Sequence, residues 1–227
     1  MQQTRRRFLA TTAGAAMLGT AGCLGGGGSQ SDQGALSSLG CDIAERDPVD
    51  SLPTPTMGPD DASVVVDVWE DFACPHCATF SLDVLPKLES EYVSEGIVQY
   101  RHHDFPIPVG KWWSWKGASA ARAAQDEADD ETFFEFAHAL FENQSSFGGG
   151  KREASLSTVR DLASDVGLDG CSVASAASRG RYRPLLDSQR KDAVENRGLE
   201  GTPTVLVNGE QVAHGWKDLK SAIENAR

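Results

Sequence analysis

Basic residues are scarce in this chain of 227 residues. Lys and Arg together number 21 against 33 Asp and Glu, which gives a formal net charge of -12 at pH 7. Proteins that bind nucleic acids neutralise phosphates with Lys and Arg, so this balance predicts no nucleic-acid partner. Hydrophobic residues make up 40% of the chain. That share is enough for an ordinary core and excludes a globally disordered protein.

Long apolar runs are also missing. The run ATTAGAAMLGTAG near the N-terminus is too short to span a bilayer, which takes ~20 residues. It follows the basic stretch TRRRFL, residues 4–9. A basic start, a short apolar middle and small residues at its end are typical of an export signal, which we predict over residues 1–22. Arg5-Arg6 followed by Phe8-Leu9 resembles the twin-arginine signal, which exports folded proteins.

The residues after this signal predict an anchor. Ala21-Gly22-Cys23 resembles the lipobox of lipoproteins, whose cysteine carries the lipid, although Thr20 stands where a larger apolar residue is usual. GGGGSQSDQG then has the composition of a flexible tether. We therefore predict lipidation at Cys23 and a flexible tether and extension over residues 23–62. The alternative is ordinary cleavage and a freely secreted protein.

The remaining chain predicts an α/β domain in two parts. A β-branched run, a helical leucine pattern and a second strand give a β-α-β unit over residues 63–112. Apolar residues at helical spacing fill residues 113–196. Two short strands joined by Asn208-Gly209, a strong hairpin sequence, and a last helix give a β-β-α unit over residues 197–227.

The stretch DFACPHC, immediately after the first predicted strand, carries the chemistry. A C-x-x-C motif in a β-α-β unit indicates a thioredoxin-like redox pair. Cys74 at the helix N-terminus would be stabilised as a thiolate, and Pro75 suits the first helical position. His76 adds a donor near the sulfur. Cys77, nearly one turn later, can attack a mixed disulfide on Cys74. A pKa of Cys74 below the usual ~8.5 would make the pair an oxidant.

Metal sites are the main rival interpretation of two close cysteines. A structural zinc site needs a second Cys or His pair, and the sequence contains none at suitable spacing. We predict no metal and no cofactor. A copper-carrying module stays open, because His102 and His103 could join the two thiolates on a soft metal. The two histidines fit equally well as polar residues at the end of an edge strand.

Two separated motifs together resemble one family. DFACPHC, with Gly201-Thr202-Pro203-Thr204 and VLVNG near the C-terminus, is similar to the DsbA-like branch of the thioredoxin superfamily. The resemblance implies a thioredoxin fold with a helical domain inserted after the first β-α-β unit. It also implies that Cys74 is the nucleophile and Cys77 the resolving cysteine. Thr202-Pro203 would be a cis peptide facing the pair, and its backbone would bind an extended substrate.

The sequence departs from that family at one position. Many members carry a buried acidic residue six positions before the first cysteine, where Val68 stands here. Asp67, Glu70 and Asp71 are nearby, and strand alternation places only Glu70 on the face of Val68. The proton acceptor is therefore left open.

Cys41 and Cys171 are the remaining cysteines. In an oxidising setting they can pair and fasten the extension to the domain. Alternatively Cys171 is a small core residue, and the sequence alone does not fix the connectivity.

These observations predict an exported, lipid-anchored thiol-disulfide oxidoreductase. It would oxidise cysteine pairs of exported proteins and be reoxidised by a membrane partner that the sequence does not identify. The alternatives are a disulfide isomerase or reductase on the same scaffold, and a copper-delivery module using Cys74 and Cys77.

Overall fold

The structure, a computed structural model, describes residues 30–41, 44–107, 112–147 and 151–227. The predicted export signal and the predicted lipidation site Cys23 lie outside the described residues. In the described part of the chain, no helix combines the length and the apolar character needed to cross a membrane.

A five-stranded sheet forms the base of the domain. The strands are β1 Thr56–Met57, β2 Val64–Glu70, β3 Val98–Asp104, β4 Thr204–Val207 and β5 Glu210–Val212, in the order β1-β3-β2-β4-β5. Only the β2–β3 pair is parallel, and the other neighbours are antiparallel. The central strand β2 is buried on both faces, which explains its continuous β-branched run. Asn208 and Gly209 both have positive φ, 48° and 86°, as a tight hairpin requires.

Helices cover the sheet and form a second layer beside it. Helix α2 begins with Pro75–Thr79 and continues through the π-helical segment Phe80–Val84, the α-helical turn Leu85–Leu88 and a second π-helical segment, Glu89–Val93. The other helices are α1 Gln30–Ser38, α3 Trp113–Glu127, α4 Asp130–Glu142, α5 Arg152–Asp165, α6 Gly170–Arg179, α7 Arg183–Lys191 and α8 Trp216–Ala226. A π-helical segment, Asp192–Asn196, continues α7.

Two main hydrophobic cores hold these layers. One lies between the sheet and helices α2 and α8, and includes Val66, Leu88 and Ile223. The other lies among the helices between β3 and β4, and includes Phe136 and Leu186. The predicted fold class, a thioredoxin fold with an inserted helical region, is confirmed.

The N-terminal extension differs from the flexible tether that its composition predicts. Gln30–Ser38 form a helix, and its Ala35 and Leu36 are buried in the helical core. Cys41 and Cys171 form a disulfide, with an S–S distance of 1.98 Å across 130 residues of sequence. The chain is therefore helical over Gln30–Ser38, where its composition predicts a flexible tether, because apolar packing and a covalent link fix a segment that is polar by composition.

Candidate active site

The cysteine pair lies where the central strand turns into a helix. Cys74 has extended backbone angles and caps α2, and Pro75 occupies its first turn. The Cys74 N–H donates to the carbonyl of Asp71 at 2.9 Å, which closes the turn after β2. Cys74 is 5% exposed, Cys77 is completely buried, and both are free thiols. The turn thus presents one sulfur toward the surface and places the other behind it.

Four groups stabilise the thiolate of Cys74. The largest contribution is a hydrogen bond from the thiol of Cys77, followed by the Thr202 side chain and the backbone N–H groups of Cys77 and His76. Burial acts in the opposite direction, but the pKa of Cys74 still falls from 9.0 to about 5. The two N–H groups belong to the free first turn of α2, where partial positive charge accumulates. Cys74 is therefore ionised at neutral pH.

The pKa of Cys77 shifts in the opposite direction. Burial raises the pKa of Cys77 well above 9.0, and the hydrogen bond to Cys74 and the negative charge of Glu70 raise it further. The N–H of Asp71 donates to the Cys77 sulfur at 3.5 Å, which only partly compensates. Cys77 thus keeps its proton and donates it toward the thiolate of Cys74. Two cysteines three residues apart hold opposite protonation states.

The Thr202-Pro203 peptide lies against the outer sulfur. This bond is cis. The Thr202 carbonyl oxygen is 3.4 Å from the Cys74 sulfur and accepts its proton when Cys74 is a thiol. The Thr202 hydroxyl is buried and has no other partner among the described residues. The structure therefore brings the Thr202-Pro203 peptide to the cysteine pair, although Thr202 is 128 residues from Cys74 in the chain.

His76 contributes through its backbone in this structure. Its N–H faces the Cys74 sulfur. Its imidazole is exposed, and the ring centroid lies 6.3 Å from that of His214. The side-chain effect of His76 on the thiolate stays a prediction.

The helical region holds the active-site turn from outside. The Gln144 side-chain amide donates to the carbonyls of Phe72 and Cys74, both at 3.0 Å. The Trp113 indole N–H donates to the Phe72 carbonyl at 3.1 Å. A Cβ at Gly117 would lie 2.7 Å from that of Phe72, so only glycine permits this approach of α3. No sequence motif indicated Gln144 or Trp113.

Asp71 organises the same turn from inside. Its carboxylate accepts from the N–H of Ala73 at 2.7 Å and from the N–H of Ile107 at 2.8 Å. Burial raises the pKa of Asp71 to about 6 despite these hydrogen bonds, and the nearby Cys74 charge adds to the rise. Asp71 therefore links the cysteine turn to the segment that follows β3.

A buried carboxylate, Glu70, lies behind the pair. It is 2% exposed and accepts hydrogen bonds from the hydroxyls of Ser81, at 2.9 Å, and Tyr100, at 3.2 Å. Its charge reaches Cys77 and raises the pKa of that thiol. Strand alternation did place Glu70 on this face, but the spacing of four residues before Cys74 differs from the family spacing of six. The alternation of side chains along β2 was the sequence feature that could have identified Glu70.

The charged network continues from Glu70 into the helical region. His102 Nδ1 lies 3.2 Å from Glu70, and its Nε2 lies 3.4 Å from Asp104. Burial lowers the pKa of His102, but the two carboxylates raise it more. Asp104 pairs with Nε of Arg122 on α3 at 2.6 Å. Burial would raise the pKa of Asp104, but Arg122 and His102 lower it to about 2.

His102 and His103 therefore do not behave as polar residues ending an edge strand. β1 pairs outside β3, and His102 is 2% exposed. His103 points to the other face, where its Nε2 lies 2.7 Å from Asp67 and its ring stacks on Trp69. In the part of the chain that the structure describes, no group of three or more His, Cys, Asp or Glu could hold a metal ion. In this structure His102 contacts Glu70 and Asp104, and His103 contacts Asp67.

The comparisons agree with the class that this geometry defines. A family model described as Thioredoxin matches residues 50–225, most of the chain. The chain belongs to this family, in its DsbA-like branch of protein thiol-disulfide oxidoreductases.

Particular relatives share most of their length with it. Probable disulfide bond formation protein D of Bacillus cereus is 30% identical over 171 residues, which cover 74% of this chain and 76% of the relative. Disulfide bond formation protein D of Bacillus subtilis is 26% identical over 183 residues, 75% of each chain. Oxidised BdbD from Bacillus subtilis superposes with a TM-score of 0.68 at 23% identity, over 80% of this chain and 98% of that one. The last comparison concerns the fold alone.

Proposed function

We propose that this enzyme is an exported thiol oxidase, which donates a Cys74-Cys77 disulfide to cysteine pairs of exported proteins. The observation that carries the proposal is the opposite shift of the two cysteine pKa values. A thiolate with a pKa of about 5 stabilises the reduced enzyme. The disulfide is then a good electron acceptor and passes readily to substrates. Relatives named disulfide bond formation protein support this direction.

The exchange proceeds in two attacks. A substrate thiolate attacks the Cys74 sulfur, a substrate–Cys74 bond forms, and the Cys74–Cys77 bond breaks with Cys77 as the leaving group. A second substrate thiolate then attacks the substrate sulfur of this mixed disulfide. Cys74 leaves as the stabilised thiolate, so the substrate loses two electrons and the enzyme gains them. A membrane-bound oxidant would restore the enzyme disulfide.

We assign to Glu70 the transfer of a proton to and from Cys77. Cys77 leaves as a thiolate inside the core, where its high pKa makes it a strong base. A proton from the Glu70 side would neutralise it, and the reverse transfer would activate Cys77 to resolve a mixed disulfide. Ser81 and Tyr100 hold the Glu70 carboxylate by hydrogen bonds and so act as positioning residues.

Thr202 would hold the substrate chain beside Cys74. The Thr202-Pro203 pair precedes β4, so an extended peptide could add to the backbone there as a further strand. This arrangement would leave the substrate side chains to solvent and would select for an unfolded segment containing a cysteine.

The proposed location is the outer face of the cell membrane. The support is the sequence alone, the twin-arginine pattern at Arg5-Arg6 and the lipobox-like cysteine at Cys23. A Cys23→Ser protein should appear in the medium, whereas the unchanged protein should pellet with membranes. Membrane association of both proteins would contradict the anchor.

The decisive test is trapping of substrates. Cys77→Ser removes the resolving thiol and keeps the ionised one, so reductant-sensitive species of higher mass should accumulate on Cys74. Cys74→Ser should accumulate few, because Cys77 is buried and protonated. Both variants carry the same substitution and serve as mutual controls. Equal trapping by the two would contradict the proposed roles.

The direction of electron transfer requires a measurement separate from trapping. A reduction potential well above that of a thioredoxin-type reductant, ~-270 mV, is expected for an oxidase. A potential at or below that value would favour the reductase alternative on the same scaffold.

A further inference from the structure

A large cavity on the helical region has walls that differ in charge from the rest of the protein. Its volume is about 680 Å³, within the range of sites for small organic ligands. It lies between helices α3, α6 and α7 and the segment before β1. It shares no residue with the cysteine pair, the Thr202-Pro203 peptide or Glu70.

Positive side chains are concentrated on its walls. Of 21 Lys and Arg in the chain, six line the cavity. They are Arg46, Lys116, Arg152, Arg179, Arg181 and Arg183. Three carboxylates share the walls, from Asp32, Glu45 and Asp187. An excess of cations in one cavity is unusual for a protein with a net charge of -12 and creates a local positive potential.

Ion pairs compensate this charge only in part. Arg46 pairs with Glu127 at 3.0 Å, Arg181 with Asp126 at 2.9 Å and Arg183 with Asp187 at 2.9 Å. Lys116 at 3.7 Å and Arg152 at 3.1 Å share the single carboxylate of Asp32. Burial lowers the pKa of Lys116, and the neighbouring guanidinium groups of Arg152 and Arg183 oppose its charge as well, against the attraction of Asp32. A bound anion would relieve this repulsion.

Among the six cations of the cavity, Arg179 is the one for which the described residues supply no ion-pair partner. Its Nε is buried without a hydrogen-bond acceptor among the same residues. A buried N–H without an acceptor is costly and rare in native proteins. Its position at the end of α6 favours a positive charge, but the helix end does not supply an acceptor to Nε.

The apolar part of the wall suits an organic ligand. The Arg183 guanidinium lies 3.5 Å from the centre of the Trp115 ring, which fixes its plane. Its Nε donates to Asp187 at 2.9 Å, and among the described residues its two terminal nitrogens bond to no acceptor, so they are the groups that can reach a ligand. Pro184 and Leu186 continue the apolar lining. A planar guanidinium with a fixed edge matches the oxygens of a phosphate group.

We propose that this cavity binds an organic phosphate, with the phosphate between Arg179 and Arg183 and the apolar portion on Trp115. Such a group occurs both in soluble phosphate esters and in phospholipid headgroups. If Cys23 carries the proposed lipid, eight residues separate it from Asp32 at the cavity wall. That length spans at most about 30 Å, so a headgroup would be within reach.

The test is calorimetric titration of the full-length purified protein with glycerol 3-phosphate and with monomeric short-chain phosphatidylglycerol, in moderate salt. Saturable binding of one of them is expected. Binding of glycerol 3-phosphate indicates a soluble ester. Binding of phosphatidylglycerol alone, together with pelleting on phosphatidylglycerol vesicles and not on phosphatidylcholine vesicles, indicates a lipid headgroup.

The variants decide whether the cavity is the site. Arg179→Gln and Arg183→Gln should each weaken binding at least tenfold. Lys191→Gln removes the same charge from an exposed side chain outside the cavity, and it should bind like the unchanged protein. If Arg179→Gln does not fold, Arg183→Gln carries the test. No saturable binding of either probe, or equal losses in all folded variants including Lys191→Gln, would overturn the proposal.

Discussion

Two helices in the described part of the chain have a cysteine at their start: Cys74 is the N-cap of α2, and Cys171 lies in the first turn of α6. The pKa of Cys74 is lowered to about 5, whereas Cys171 is held in a disulfide. At α2 no side chain caps the helix, so the N–H groups of His76 and Cys77 face the sulfur of Cys74. At α6 the Asp169 carboxylate accepts from the N–H groups of Cys171 and Ser172, at 3.0 and 3.1 Å. Cys171 is joined to Cys41 instead. A helix N-terminus activates a thiol only where its N–H groups remain free for the sulfur.

The largest expected difference between the two sites concerns stability. A double Cys41→Ser/Cys171→Ser variant should lose roughly 4–5 kcal/mol in free energy of unfolding, because its disulfide closes a loop of more than a hundred residues. Urea denaturation measures the loss. The alkylation rate of Cys74 in the folded variant should not change. A slowed Cys74 would show that the two sites are coupled and would break the comparison.

The second largest expected effect is the pH dependence of the stability of the reduced enzyme. The pKa of Cys74 is depressed from 9.0 to about 5, so its contribution to stability is fully present above the unfolded value and disappears as the pH falls through about 5. Two pH units separate pH 7 from this pKa, which corresponds to roughly 3 kcal/mol. Denaturation of reduced unchanged protein and of reduced Cys74→Ser at pH 4 and 7 measures it.

The Cys74→Ser control is needed because Asp71 acts with the opposite sign. Burial is the largest cause that raises its pKa to about 6, so ionisation of Asp71 costs stability as the pH rises through that range. The burial is present in both proteins. The difference between the two proteins should grow from pH 4 to pH 7. A constant difference would mean that Cys74 is not ionised in the folded state.

A smaller effect is expected from Glu70→Gln, which keeps the shape and removes the charge. Resolution of a mixed disulfide by Cys77 should slow at least tenfold, about 1.4 kcal/mol, while alkylation of Cys74 stays nearly unchanged. Stopped-flow release of a model thiol from the mixed disulfide separates the two steps. Ser81→Ala removes one hydrogen bond to Glu70 and leaves the carboxylate, so its resolution rate should fall less than that of Glu70→Gln. An unchanged resolution rate in Glu70→Gln would remove Glu70 from the proton step.

The smallest effect concerns the capped helix. Asp169→Ala frees the N–H groups of α6 and should cost about 1 kcal/mol of stability. In that variant, after reduction, Cys171 should become easier to alkylate at neutral pH than in reduced unchanged protein. If its reactivity does not change, the state of the N–H groups does not control thiol activation, and the comparison between α2 and α6 fails.

The sequence predicts the order of elements and the cysteine pair because both depend on local patterns. The β-branched run of β2, the Asn208-Gly209 hairpin and the CPHC turn each follow from neighbouring residues. The residues that contact the CPHC turn cannot be predicted from neighbouring residues. Gln144 and Trp113 reach it only through the packing of helices that lie far along the chain.

The buried charges were the least accessible to sequence reasoning. His102, Asp104 and Arg122 look like surface residues by composition, and only the close packing of α3 on β3 makes them a network. Similarly, the polar sequence at the start of α1 predicts a flexible tether. Its burial depends on Leu36 and on a disulfide whose partner cannot be read from spacing.

The Cys41–Cys171 bond also determines the outcome of a single proteolytic cut in the chain. The covalent ring that it closes contains Cys74, Cys77, Glu70 and Gln144, so most of the catalytic apparatus lies inside one loop. A protease that cuts once after the exposed Lys151 would leave two pieces still joined through sulfur. Such a nicked enzyme would run as a single band in a non-reducing gel and separate only after reduction. A single cut at this position would therefore not release either piece from the protein.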